Sequence, residues 1–175
     1  HERFGVHPKS VVSHLASPSF DASVFELMMA FGAGARDVVV PPTIYGGTEL
    51  SSLLSRNEVT HSFITPTALA SIDDIGLESL EAIVVAGEAC PPDLVEMWAH
   101  DRRMFNGYGP TETTIQASVS DPMRPETGVD IGRPARGFGA LVLDTRLQPV
   151  AHGVPGELYI TGPGLARGYH NRFAL

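Results

Sequence analysis

Up to roughly residue 120, short β-branched runs alternate with amphipathic segments, and proline or glycine stops each run. This alternation constrains the fold more than any other feature, because strands joined through helices build a mostly parallel sheet with helices packed against it. Val24, Leu27, Met28 and Phe31 recur at i, i+3, i+4 and i+7, which predicts a helix with one buried stripe. Ser23 and Glu26 are spaced for its capping box, and Gly32 and Gly34 end it. Asp37 to Val40 then reads as a strand stopped by Pro41 and Pro42. The cycle repeats with a second helix that opens at Thr48 and carries Leu50, Leu53 and Leu54. His61 to Thr65 is a strand closed by Pro66, and Glu81 to Val85 is a third. Pro91 and Pro92 suit the first turn of a helix bearing Leu94, Val95 and Trp98. Met104 to Asn106 enters a glycine-rich turn at a strand's carboxyl end, where open α/β sheets bind ligands.

After about Asp121 proline and glycine become frequent and helical periodicity disappears. Ala140 to Leu143 and Glu157 to Thr161 read as antiparallel strands, so a boundary falls between about 120 and 130. A length of 175 residues suits one domain or parts of two subdomains. The chain opens at His1 without an initiator Met, and Arg172 to Leu175 carry no helix end, so it reads as a piece of a larger protein. A formal charge of -8 argues against a polyanionic partner, and nucleic acid is not expected. No apolar run approaches the roughly 20 residues of a membrane helix, and no basic segment leads into a hydrophobic one at the start. No membrane partner is expected, and a soluble, cytoplasmic setting is.

Cys90 is the single cysteine, which excludes an intrachain disulfide, and no Cys/His cluster has zinc spacing. It precedes Pro91 and Pro92 with no histidine nearby, so it reads as a small semi-buried side chain rather than a catalytic thiol. The seven histidines form no HExxH or similar spacing and receive no role.

The densest cluster of chemically capable residues is Asn106-Gly107-Tyr108-Gly109-Pro110-Thr111-Glu112-Thr113-Thr114. It brings backbone donors freed by glycines, three hydroxyls, an aromatic face and a carboxylate into one turn. Such a turn can serve a nucleotide: hydroxyls and amides can bond phosphate oxygens, Tyr108 can stack on a base, and Glu112 can hold Mg²⁺ as a hard oxygen ligand. The same residues also describe a tight turn capping a helix, with Thr111 as N-cap and Glu112 in the first helical turn. Gly162, Gly164 and Gly168 imitate a dinucleotide fingerprint, but no periodic helix follows and no acidic residue lies downstream.

The run from Tyr108 to Thr114 resembles the Tyr-Gly-Pro-Thr-Glu-Thr-Thr motif of adenylate-forming enzymes in its peptide-synthetase version. Phe20-Asp21-Ala22-Ser23 before it and the segment from Gly156 to Tyr169 after it agree at the expected separations. On these three ordered motifs the chain resembles the central piece of an adenylation domain of nonribosomal peptide synthetases. The resemblance implies an α/β fold over residues 1–122, a mostly parallel sheet flanked by helices, followed over 123–175 by the first strands of a distorted β-barrel subdomain. It implies that the parent protein condenses an amino acid with ATP to aminoacyl-AMP and pyrophosphate, then loads a phosphopantetheine thiol on a partner carrier domain. Carrier and condensation domains are therefore the implied partners.

The resemblance also implies roles. Asn106 would bond the adenine amino group, Tyr108 would stack on adenine, and Gly107 and Gly109 would shape the nucleotide turn. Thr111 would contact the α-phosphate and Glu112 would hold Mg²⁺. Catalysis of this kind is mostly positioning and charge stabilisation. On the residues alone, Asp21 reads as a charge favoured by a helix N-terminus or as a solvated turn residue. By the resemblance it pairs with the substrate's α-ammonium, which needs such a partner because desolvating an unpaired charge costs several kcal/mol.

The implied pocket comprises Asp21, Ala22, Phe25, Phe63, Val84, Ala86, Gly107, Ile115 and Gln116. Apart from Asp21 these side chains are uncharged, so a neutral, mainly apolar or aromatic amino acid is the expected substrate. Gln116 alone could recognise a polar tip. The family's upstream phosphate loop, downstream ribose-binding Asp and C-terminal catalytic Lys have no counterpart among these residues, so the chain by itself is expected to be inactive. Two alternatives remain at this point: an acyl- or aryl-CoA ligase of the same superfamily, which would need no ammonium partner, and a non-catalytic fragment.

Overall fold

The computed structural model describes residues 2–172; His1 and residues 173–175, on which part of the reading of the chain's ends rests, lie outside them. In chain order the elements are β1 (Val11–His14), α1 (Ala22–Phe31), β2 (Arg36–Val39), α2 (Gly47–Arg56), β3 (His61–Ile64), α3 (Pro66–Ala70), β4 (Ala82–Ala86), α4 (Pro92–Trp98) and β5 (Arg103–Tyr108). The short strands β6 (Ser118–Val119) and β7 (Arg133–Pro134) follow, and then β8 (Gly139–Leu143) and β9 (Glu157–Thr161). The first seven strands form one sheet in the order β2-β1-β3-β4-β5-β6-β7. Strands β1 to β5 run parallel, as the strand and helix alternation requires, while β6 and β7 add antiparallel at the β5 edge. Strands β8 and β9 pair antiparallel in a separate two-stranded sheet, with Ala140 opposite Ile160 and Val142 opposite Leu158.

Both faces of the sheet are covered, so its central strands are buried without alternation. On β4, Ile83 and Val85 join Leu50, Leu54, Leu94, Trp98 and Met104 in one apolar cluster. The intervening Ala82 and Val84 point to the other face, into a cluster with Phe4, Val12, Met29, Ala30 and Phe105. The chain reverses direction across the sheet once, so β1 and β3 are neighbours although α1, β2 and α2 lie between them in sequence. The crevice beyond the carboxyl ends of two such strands is where open sheets of this kind take ligands.

The apolar stripe expected on α1 is not its buried side. Val24, Met28 and Phe31 are 44%, 67% and 65% exposed, and the helix instead buries Ser23, Glu26, Met29 and Ala30. Small side chains allow α1 to approach the sheet closely, and Glu26 reaches across to the end of β1, which fixes the helix's rotation. The expected capping box is absent for the same reason. Asp21 occupies the N-cap position without a side-chain cap bond, the Ser23 hydroxyl donates to the Phe20 carbonyl at 2.8 Å, and Glu26 faces β1.

The elements β1, α3, β6 and β7 escape the sequence patterns. Strand β1 has only Val11 and Val12 before Ser13 and His14, and α3 is hidden behind the proline that closes β3. Thr65 leaves the strand to become the N-cap of α3, accepting from the Ala68 amide at 3.2 Å, with Pro66 in the first turn. Helix α2 opens at Gly47, one residue ahead of Thr48.

Candidate active site

The carboxyl ends of the parallel strands β1, β3, β4 and β5 lie along one edge of the sheet, and β1 leads from there to the start of α1. Strand β1 ends at His14 and runs through a short loop to Asp21, the residue before α1. Phe25 lies one helical turn beyond Asp21, its amide donating to the Asp21 carbonyl at 3.3 Å. Its ring sits 5.0 Å from that of Phe63 near the end of β3 and 5.8 Å from that of Phe4. Val84 of β4 is the register partner of Phe63 and packs in the same cluster. Of the expected pocket residues, Phe25, Phe63 and Val84 therefore form one wall.

Ala86, Gly107 and Gln116 form a second contact group. Ala86 and Gly107 are register partners at the ends of β4 and β5, and a methyl on Gly107 would lie 3.6 Å from the Ala86 Cβ and would fall on the Gln116 amide nitrogen. Gln116 is brought there by a strained turn in which Thr114 and Ile115 take φ values of +56° and +71°. Two consecutive β-branched residues in this region cost of order 1–3 kcal/mol each, a cost that persists mainly at functional sites. Gly109 is equally constrained, since a Cβ there would meet the Ala117 amide nitrogen at 2.6 Å. Ala22, the first residue of α1, is half-buried beside Asp21.

Two polar atoms in these groups are shut off from solvent without a hydrogen-bond partner: Asp21 Oδ2 and Gln116 Nε2. One is an acceptor and the other a donor, both belong to the expected pocket, and orphans of this kind cost roughly 1–3 kcal/mol each unless a ligand satisfies them.

The glycine-rich turn leaves β5 at Tyr108. Asn106 is buried on the strand, its amide nitrogen donating to the Asp130 carbonyl at 2.8 Å, which leaves its carbonyl oxygen as the free polar atom. Tyr108 is exposed and borders an apolar cleft of about 260 Å³ between the main sheet and the β8–β9 hairpin, lined also by Ile131, Val142 and Ile160. None of Asp21, Phe25, Phe63 or Glu112 lines that cleft, so the chemically capable groups gather elsewhere.

Thr111 to Thr113 form a single 3-10 turn with Pro110 at the N-cap position, so Thr111 does not cap a helix. The capping alternative therefore fails. Thr111 and Glu112 are exposed, and Thr113 is buried with its hydroxyl donating to the Pro110 carbonyl at 2.8 Å. The loop from Gly162 to Tyr169 braces this turn from outside. The Ala166 amide donates to the Glu112 carbonyl at 2.7 Å, the Thr114 hydroxyl to the Gly164 carbonyl at 2.6 Å, and the Tyr169 hydroxyl to Glu112 Oε1. Tyr169 lowers the Glu112 pKa below the usual carboxylate range by that donation, and its own is raised in return. Glu112 thus stands ionised at the surface with Oε2 open.

Sequence patterns missed a buried cluster behind Asp21. Glu26 accepts from the Leu15 and Ala16 amides at 2.9 and 3.0 Å, His14 Nε2 lies 3.7 Å from Glu26 Oε2, and His14 Nδ1 lies 3.3 Å from Asp37 Oδ2. Burial pushes Glu26 up from 4.5 to about 7, against the two amides and His14, which pull it down. No sequence signal announced this cluster, because its members come from β1, α1 and β2. Cys90 is buried, and burial raises its thiol pKa, so it is inert as expected. Among the described residues no group of three His, Cys, Asp or Glu side chains could hold a metal by itself, and no helix is long and apolar enough to cross a membrane.

Residues 1–170 match the model of a family described as AMP-binding enzyme. The chain is 48% identical over 174 residues to a probable non-canonical nonribosomal peptide synthetase, CymA, of Salinispora arenicola, covering 99% of this chain and 2% of that protein. It is 44% identical over 162 residues to novobiocin biosynthesis protein H of Streptomyces niveus, covering 93% of this chain and 27% of that one. The chain thus spans only a small part of the curated relatives it matches. Among solved structures, the N-terminal subdomain of Klebsiella oxytoca NpsA in complex with 3-hydroxybenzoyl-AMSN superposes with a TM-score of 0.82 at 26% identity, over 96% of this chain and 45% of that one. An artificially fused adenylation-PCP di-domain from the same organism superposes with a TM-score of 0.83 at 27% identity, over 95% of this chain and 33% of that one.

Proposed function

The chain belongs to the AMP-binding enzyme family and carries the adenylation-domain fold of nonribosomal peptide synthetases, and we propose that it holds the amino-acid pocket and nucleotide turn of a larger amino-acid-activating ligase. In this reading the parent protein joins an amino-acid carboxylate to the α-phosphorus of ATP, releasing pyrophosphate. It then passes the acyl group to a phosphopantetheine thiol on a carrier domain. The observation that carries it is Asp21 Oδ2, shut off from solvent and unpartnered one turn from Phe25. A buried acceptor of that kind is satisfied by a substrate α-ammonium.

Phe25, Phe63, Val84 and Ala86 offer an uncharged lining for the side chain, and Gly107, having no side chain, lets the Gln116 amide lie directly against β5. Ile115 sits half-buried in the strained turn next to Gln116. A neutral and mainly apolar or aromatic amino acid fits this lining, with Gln116 Nε2 able to donate to a polar tip. Tyr108 is exposed to stack on adenine and Asn106 keeps a carbonyl oxygen for its amino group. Thr111 is exposed for the α-phosphate.

One ionised carboxylate with an open oxygen is what Mg²⁺ uses when substrate phosphates and waters complete its shell, so Glu112 fits that ion. When bound, Mg²⁺ neutralises phosphate charge. We assign residues 1–122 to the α/β subdomain and 123–175 to the start of a β-barrel subdomain, with β7 joining the second to the first sheet. The exposed stripe of Val24, Met28 and Phe31 supports further chain packing there, as does the 45% coverage of the NpsA subdomain.

A second reading has a specific observation behind it: the NpsA subdomain was solved with 3-hydroxybenzoyl and 3-hydroxyanthranilyl ligands. An aryl-acid ligase would have no use for Asp21. ATP–pyrophosphate exchange by the parent protein separates the two. Exchange with α-amino acids and little with their des-amino analogues supports amino-acid activation, and the reverse preference supports the aryl reading.

A further inference from the structure

Glu26 is the largest unexplained investment of charge in the fold. Its side chain is completely buried, and desolvation is the strongest influence on its carboxyl. An apolar side chain of similar volume would avoid that cost. What Glu26 supplies is a pair of acceptors at the point where β1 leaves the sheet. Leu15 and Ala16 are the first residues beyond the strand, and their amides have no carbonyl of a neighbouring strand to donate to; both donate to Glu26 instead.

These two bonds close the chain from Leu15 to Glu26 into a loop, and Asp21 sits near its tip. Inside the loop the Phe20 amide donates to the Ser17 carbonyl at 2.9 Å, and the Ser23 hydroxyl returns to the Phe20 carbonyl. Asp21 itself contributes only its backbone carbonyl, which accepts from Val24 at 2.9 Å and from Phe25, and its side chain makes no cap bond. Nothing bonded to its carboxylate fixes where that carboxylate points. Its position is inherited from the loop, and the loop is anchored by Glu26. His14, at 3.7 Å from Glu26, and Asp37, on the far side of His14, complete the polar surroundings of the anchor from β1 and β2.

We propose that Glu26 is a positioning residue for substrate selection: by clamping the Leu15 and Ala16 amides it holds Asp21 where the α-ammonium of an amino acid arrives. This rests on the assignment of Asp21 to the α-ammonium. Glu26 never meets the substrate, so its loss acts on one recognition step and spares the nucleotide turn, which hangs from β5 and the 162–169 loop.

The test is Glu26→Gln in the parent protein, assayed by pyrophosphate exchange with the preferred amino acid and with its des-amino analogue, alongside Asp21→Ala. Glutamine keeps the shape but turns an N–H toward one of the two amides. The expected result is a rise of about tenfold in the amino-acid KM, an ATP KM within about twofold, and a matching fall in the preference for the amino acid over its analogue. Glu26→Met, apolar and of similar volume, provides the same readout where the Gln variant does not fold. If Asp21→Ala abolishes the preference and the Glu26 variants leave it intact, Glu26 is not the positioning residue. If Asp21→Ala leaves the preference unchanged, the Asp21 assignment falls and takes the proposal with it. A uniform loss for amino acid, analogue and ATP alike would make Glu26 merely structural and overturn the proposal.

Discussion

Replacing Asp21 with alanine separates a capping residue from a recognition residue, because the two roles predict opposite effects on stability. An Asp at an N-cap ordinarily stabilises a helix through its side-chain bond, and its loss costs typically about 1 kcal/mol. Here that bond does not exist, so only the favourable charge at the helix start is lost, about 0.3–1 kcal/mol. Against this, the substitution removes a carboxylate oxygen that is shut off from solvent without a partner, relieving about 1–3 kcal/mol. The balance is a chain between unchanged and about 3 kcal/mol more stable. Urea denaturation with an unchanged slope reads it directly. In the parent protein the same substitution strands the substrate's ammonium, which costs about 3–5 kcal/mol, or at least a hundredfold in kcat/KM for every α-amino acid. A destabilisation beyond about 1 kcal/mol would restore the capping role and refute the reasoning.

Four further outcomes are expected. Glu112→Gln in the parent protein should slow adenylate formation by at least about a hundredfold and raise the Mg²⁺ requirement while leaving the fold intact, because the amide keeps the shape and loses the charge; undiminished exchange would refute this. Gly107→Ala should leave the melting temperature nearly unchanged, since only the end of Gln116 must move, yet lower kcat/KM for a bulky substrate by about tenfold and for a small one much less. Glu26 holds its proton more tightly folded than unfolded, so its contribution to stability is full below about pH 4.5 and is lost as pH rises through about 7. Comparing wild type with Glu26→Gln by denaturation across that range should show a pH-dependent difference of up to about 3 kcal/mol, and parallel curves would contradict it. The 175 residues by themselves should form no aminoacyl-adenylate, which mass spectrometry of the reaction mixture would show.

The parallel sheet was legible mainly through β2, β3 and β4, short runs that stop ahead of Pro41, Pro66 and Gly87 and alternate with helical segments. β1 was not legible, since two valines before Ser13 and His14 do not make a run. The rotation of α1 was misread because apolar periodicity assumes that the apolar face is the covered one; here Ser23, Ala30 and Glu26 face the sheet and Val24, Met28 and Phe31 do not. The turn that leaves β5 was legible as a turn through Gly107, Gly109 and Pro110. Glu26, His14 and Asp37 could not be grouped from sequence, since only the β2-β1 pairing and the packing of α1 bring them together. The Tyr169 contact with Glu112 likewise joins residues 57 positions apart.

The central claim is that an α-amino acid is activated as its adenylate over Asp21 and the Glu112 turn. Incubating the parent protein with ATP, Mg²⁺ and an equimolar mixture of amino acids and their des-amino analogues, then quenching with hydroxylamine, converts every acyl-adenylate formed into its hydroxamate for identification by mass. The account predicts the hydroxamate of a neutral, mainly apolar or aromatic amino acid, absent in the Asp21→Ala protein. A product derived from an acid without an α-amino group, or from Asp, Glu, Lys or Arg, would contradict it.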